Sequence, residues 1–131
     1  MSRIKSFEDL TCWQEARALV QLAYSASAVG ELSRDFGTRD QLRRAALSVM
    51  NNIAEGFGRD SNKQFIRFLD IAQSSCMEVK SISYVLDDMN WLTSEHIKQL
   101  RARTDKIIVL TRGLIKYLRA HPKPATLNSE P

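Results

Sequence analysis

Glycine and proline are scarce in this chain of 131 residues, which has five glycines and three prolines, every proline falling among the last ten positions. A chain with so little turn punctuation is not an all-β protein, and long helices are its default. No apolar run approaches the ~20 residues that span a bilayer, so no membrane partner is expected. The opening Met1-Ser2-Arg3-Ile4-Lys5-Ser6 is not followed by an apolar signal segment, which points to a cytoplasmic protein. Only two cysteines occur, Cys12 and Cys76, without Cys-x-x-Cys spacing. They read as free, buried thiols in a reducing compartment rather than as a disulfide or a metal site. Histidine is nearly missing as well: His96 lies near a helix start and His121 beside Pro122. Neither Glu55 nor Glu78 is followed three residues on by His, so the di-iron bundle pattern does not apply. There is no glycine-rich phosphate loop. Without an assembled set of nucleophile, base and electrophile, no enzyme is expected, and no cofactor or metal with it.

What the chain does contain is helical periodicity. Ser6 and Asp9 form a short-armed capping box that opens a first helix, with Trp13, Ala16, Leu19, Val20 and Ala23 recurring to about Ala28. Gly30 to Gly37 forms a connection. A second helix runs from near Thr38 to Gly56 or Gly58, where a left-handed residue is expected to end it. Ser61-Asn62-Lys63-Gln64 is a capping box for a third helix of about 28 residues, striped by Phe65, Leu69, Ala72, Cys76, Val79 and Leu86. Asn90 breaks it. Thr93 or Ser94 then caps a fourth helix, whose stripe from Ile97 to Leu118 ends near Ala120, before Pro122 and Pro124. Four amphipathic helices with short connections predict an all-α fold, an up-down-up-down antiparallel four-helix bundle over residues 1–121. The tail, 122–131, is expected to be disordered. Trp13, Tyr24, Phe36 and Trp91 are expected as core anchors, with Trp91 closing one bundle end, although aromatics near the chain's start could instead cement subunits.

The second helix has two faces. Leu42, Ala46, Val49, Ile53 and Phe57 line one, and Gln41, Arg44, Ser48, Asn51, Asn52 and Glu55 the other. A free surface normally carries Lys and Glu rather than short amides and hydroxyls, so the polar row is expected to meet a neighbour, such as Ser74, Ser75 and Glu78 of the third helix. A structural hydrogen-bond network, a subunit interface and a ligand site all remain open for it; Arg44 could pair with Glu55 or Glu78.

The net charge of +4 is concentrated at one end. Residues 98–123 hold eight basic side chains against one acid, Asp105, a balance of +7, while the other residues carry 11 basic and 14 acidic groups, or −3. Lys98, Arg101, Arg112, Lys116 and Arg119 fall within roughly one 60° sector of the fourth helix, with Arg103 and Lys106 on the other flank. The strip is either a solvated face or an electrostatic strip for nucleic-acid phosphates, repeated if subunits assemble. Nothing marks a helix-turn-helix, a zinc finger or a strand-borne stacking platform.

Asp9-Leu10-x-x-Trp13-x-x-Ala16, Gln41-Leu42-Arg43-Arg44-Ala45-Ala46, Asn52-Ile53-Ala54-Glu55-Gly56-x-Gly58-Arg59, Ser61-x-x-x-Phe65-x-x-Phe68-Leu69 and Ser75-x-x-Glu78 occur in this order. This set resembles the bacterial four-helix-bundle proteins first noticed in intervening sequences of 23S ribosomal RNA genes. The resemblance implies a ring of subunits, commonly a pentamer. More distantly, the chain is similar to the accessory proteins of diversity-generating retroelements, basic pentameric barrels that associate with a reverse transcriptase and nucleic acid. Two positions depart from the pattern: Ser74-Ser75 stands where Gly-Ser is usual, and Thr38-Arg39-Asp40 where Leu-Thr usually precedes the glutamine.

The expected protein is therefore a non-enzymatic homo-oligomeric scaffold that binds RNA or DNA by shape and charge. Lys98, Arg101, Arg112, Lys116 and Arg119 are its expected nucleic-acid contacts. Trp13, Gln41, Arg44, Asn52, Glu55, Ser75 and Glu78 are its expected structural or interface residues. The alternative is a protein–protein interaction module without nucleic-acid binding.

Overall fold

Each long helix carries a continuous apolar stripe, and four such helices hide their stripes from water by turning them toward a common axis. The computed structural model describes residues 4–122. Apart from Pro122, the expected tail lies outside them. A 3-10 turn at Phe7–Asp9 precedes five helices: α1 (Thr11–Ala26), α2 (Gly30–Arg34), α3 (Phe36–Phe57), α4 (Asn62–Asp88) and α5 (Ser94–Ala120). Helix α3 packs on α1 and α4, and α5 on α4 and α1, which closes a ring of four long helices. Along α3–α4 and along α4–α5 the contacts run in opposite directions. Gln41 meets Glu78 while Ser48 meets Ser75 on α3 and α4. Ser83 meets Arg101 while Asn62 reaches the end of α5 at Leu118. The bundle is antiparallel, with Leu19, Leu42, Ile53, Leu69, Leu100 and Ile107 fully buried at its centre.

Helix ends follow local chemistry, and several differ from expectation. The Asp9 carboxylate does accept the Ser6 N–H, at 3.3 Å, but this box closes only the 3-10 turn. The chain then extends at Leu10, which is buried, and α1 starts afresh at Thr11, because placing Leu10 in the core breaks the helical path. The connection from Gly30 to Gly37 is not a plain loop. Gly30, at φ +69°, admits a short helix that buries Leu32 completely. Helix α3 begins at Phe36, not Thr38, since the cap is Asp35, whose carboxylate accepts the Thr38 N–H at 3.1 Å.

Neither Gly56 nor Gly58 is left-handed: Gly56 lies within α3 and Gly58 has φ −78°. Gly56 answers a different need. A Cβ there would lie 2.7 Å from the Phe68 Cβ and 2.9 Å from the Phe65 ring, so only glycine lets the start of α4 approach α3 so closely. The left-handed stop belongs to Asn90, at φ 62°. The Trp91 N–H donates to the Leu86 carbonyl and the Asn90 N–H to that of Asp87, the Schellman closure of a helix. Ser61 and Thr93 cap α4 and α5 through Gln64 and His96 N–H groups.

Candidate nucleic-acid interface

The α3–α4 seam is joined by a hydroxyl pair and an amide–carboxylate bond, with no ion pair between the two helices among the described residues. Ser48 and Ser75 hydroxyls lie 2.7 Å apart. The Asn52 amide donates to the Ser48 carbonyl at 2.8 Å and to its hydroxyl at 3.1 Å. Gln41 donates to the Glu78 carboxylate at 2.9 Å. Ser75 is buried and Ser48 and Asn52 half-buried. The Ser48–Ser75 and Gln41–Glu78 bonds fix the register of two helices, while Asn52, on the same helix as Ser48, holds its hydroxyl in place. Glu78 takes Gln41 as its partner, while Arg44 and Glu55 stand exposed with no partner among the described residues. Trp13 stacks edge-on against Phe7 with centroids 5.1 Å apart and anchors the N-terminal turn to the core. Trp91 is half-buried against the core, but Tyr24 and Phe36 are exposed. Arginines cover those two instead: the Arg43 guanidinium lies 4.5 Å from the Tyr24 ring and that of Arg39 4.7 Å from Phe36.

Charge dominates the helix pairs that involve α5. Lys80 pairs with Asp105 at 2.9 Å and joins α4 to α5. Glu15 of α1 holds both Arg103, at 2.5 Å, and Lys106, at 3.2 Å. With its side chain mostly covered, Glu15 has a pKa below the usual glutamate value, chiefly through the Arg103 hydrogen bond and then that of Lys106. Arg101 donates from Nε to the Ser83 hydroxyl at 2.9 Å, reaches Asp87 at 3.3 Å and lies 3.8 Å above the Tyr84 ring centre.

The five expected phosphate contacts therefore divide. Lys98 and Arg101 sit near the start of α5, and Arg101 is already occupied by α4. Asp105, paired with Lys80, and the exposed Val109 interrupt the same face. Beyond them, Arg112, Lys116 and Arg119 converge with Asp70, Gln73 and Ile115 around a surface notch of about 290 Å³ between α4 and α5. All three cations are exposed, and none has an ion-pair partner among the described residues. The floor is held still, because Gln73 donates to the buried Thr111 hydroxyl at 2.9 Å. Sequence reasoning found the cations but missed the split. Pattern alone also hid the Lys80–Asp105 pair, the Glu15 clamp and the Tyr84–Arg101 stack, since each joins residues far apart in the chain.

Nucleophilic chemistry has no foothold at the thiols. Cys12 and Cys76 are free and buried. Burial pushes the Cys12 thiol up to about 11 and that of Cys76 to about 12, so both stay protonated at neutral pH. Among the described residues no three His, Cys, Asp or Glu side chains converge as metal ligands would, and no helix is long and apolar enough to cross a membrane.

The fold and these contacts define a four-helix bundle with one hydrogen-bonded seam and one charged rim. The chain belongs to the family of 23S rRNA-intervening sequence proteins, whose family model matches residues 8–113. A solved structure from Bacteroides thetaiotaomicron, a protein with unknown function from the S23 ribosomal protein family, is similar in fold. Its TM-score is 0.73 at 20% identity, over 81% of this chain and 99% of that one. No curated protein matches the chain.

Proposed function

We propose that this protein is a non-enzymatic, cytoplasmic scaffold that binds nucleic acid through the charged rim of α5, shape and charge rather than base sequence deciding what it holds. The observation that carries this reading is the notch. Arg112, Lys116 and Arg119 surround it with a single acid, Asp70, in its lining and with no ion pair among the described residues. By contrast Lys80, Arg101, Arg103 and Lys106, at the contacts of α5 with its neighbours, are each paired with an acid. Unpaired cations kept together on one surface repel one another, and phosphates relieve that repulsion while releasing counterions. Lys98 extends the rim without an ion-pair partner among the described residues; Arg101 acts mainly as a staple between helices.

The scaffold assembles from several copies of this chain, five by family resemblance. Support comes from the outer face of α3 and α4. Arg44 and Glu55 stand there with no partner among the described residues, and Ile71, Glu78, Val85 and Met89 form an exposed stripe at helical spacing, apolar but for the glutamate. Repetition of the notch around an oligomer would multiply weak single contacts into firm binding.

The test is binding of labelled RNA and DNA across a salt series, comparing the intact protein with a variant carrying R112Q, K116Q and R119Q. The expected result is binding that falls steeply with salt, with the slope of log affinity against log salt reduced by roughly 2–3 in the variant. Absence of binding at low salt by the assembled protein would sink the nucleic-acid reading. The apolar stripe on α4 would then favour a protein–protein interaction module.

A further inference from the structure

The α4–α5 rim carries a feature that charge does not account for. Gln73, Met77, Lys80 and Tyr84 recur along one side of α4, at i, i+4, i+7 and i+11. Gln73 and Lys80 touch α5 at Thr111 and Asp105, so Met77 and Tyr84 stand over the same groove. Across it, Arg101, Asp105, Val109, Arg112, Lys116 and Arg119 share a face of α5. Met77 is 56% exposed, Tyr84 52% and Val109 65%. What sets these three apart from the other exposed apolar groups is their place, along the same groove as the cations. A rim that bound only phosphates would lose by them, because they would face a charged, hydrated backbone.

Tyr84 is also held in place. The Arg101 guanidinium covers one face of its ring at 3.8 Å and is itself fixed by the Ser83 hydroxyl and Asp87. A ring with one face stacked and half its surface still open can take a second flat group.

We infer that the groove between α4 and α5 binds single-stranded nucleic acid, with its phosphates on Arg112, Lys116 and Arg119 and an unpaired base stacked on Tyr84. This rests on the phosphate-binding reading above and names its substrate class. From Lys98 to Arg119 the rim is straight and roughly 31 Å long at 1.5 Å per residue, room for a handful of nucleotides. A duplex suits it poorly. Over about one helical turn, ~34–36 Å, each duplex strand winds away from a straight rod, and stacked bases cannot reach Tyr84. A flexible strand can follow the rod, turn a base onto the ring and rest sugars and bases on Met77 and Val109. Stacking of this kind tolerates any base, which agrees with the lack of a base-reading motif.

The test measures fluorescence anisotropy of labelled oligo-dT and of a duplex of equal length, each about fifteen nucleotides, longer than the rim so that a strand can lie along all of it. The full-length protein, Tyr84→Leu and Tyr84→Phe are compared at several salt concentrations, with thermal melts to verify that each variant is folded. The single strand should bind roughly tenfold more tightly than the duplex. Tyr84→Leu should lose roughly tenfold on the single strand alone with an unchanged salt slope, since stacking releases no counterions, while Tyr84→Phe should bind as the native protein does. Salt-sensitive binding with no preference for the single strand, or equal losses for Tyr84→Leu on both probes, would overturn this inference and leave the phosphate reading standing. No binding of either probe at low salt would overturn both.

Discussion

Helix α4 has two neighbours and treats them differently. Toward α3 it offers Ser75 and Glu78 to a serine and a glutamine, and close approach at Gly56 completes the contact. Toward α5 it offers Gln73, Lys80, Ser83 and Asp87, and the partners there are a threonine, an aspartate and an arginine. The α3–α4 seam satisfies its inner groups within the chain, so its chemistry ends in register and stability. The charged rim satisfies only part of its charge and leaves three cations over a notch. A polar group paired inside a fold explains the fold; a charge kept unpaired at a surface asks for a partner.

The largest expected effect tests that division directly. Neutralising Arg112, Lys116 and Arg119 together should weaken nucleic-acid binding by about a hundredfold or more near physiological salt. Chemical denaturation should show stability unchanged within about 0.5 kcal/mol per site, because no described partner is lost. A large loss of stability would mean that the rim is structural. At the α3–α4 seam the outcome reverses. Gly56→Ala should destabilise by about 1–3 kcal/mol, as its methyl group meets the stem of Phe68. An unchanged denaturation midpoint would show that the helices can move apart freely.

Ser75→Ala should cost about 1 kcal/mol in the same measurement, since Ser48 keeps Asn52 as a partner but loses its cross-helix bond. The contrast sharpens with Gly113 of α5, where an added Cβ meets nothing within 4 Å. Gly113→Ala should raise stability by about 0.5–1 kcal/mol through helix propensity alone. The smallest effect is a pH dependence at Glu15. Its carboxyl titrates below the ordinary 4.5 in the folded protein, so the unfolded chain takes up a proton first as pH falls. The clamp's contribution is complete above the unfolded value and is lost as pH drops through the folded one. Glu15→Gln should therefore flatten the acid limb of a stability curve between those two pH values, measured by urea melts, and change its slope little at neutral pH.

Several of these features can be read along the chain. The stripes and caps of α4 and α5 lie in one local run each, and Ser61, Asn90 and Thr93 act where local rules place them. The start of α1 does not, because Leu10 answers to the core rather than to the capping box before it. Gly56 looks like a helix stop in isolation and is a point of contact in the fold, since the Phe68 that demands it belongs to another helix. Arg44 looks like a salt-bridge partner on a helical wheel, yet Glu78 is taken by Gln41.

The sequence by itself determined the helical class, the number of long helices, the row of amides and hydroxyls on one polar face and the place of the positive charge. These follow from periodicity and composition, which act over a few residues. Only the tertiary structure decided which charges are used up. Whether a cation finds an acid depends on a neighbour tens of residues away, as with Arg101 and Asp87 or Lys106 and Glu15. That pairing takes up the middle of the basic helix, leaves Arg112, Lys116 and Arg119 clustered beyond it, and sets Tyr84 beside the same groove.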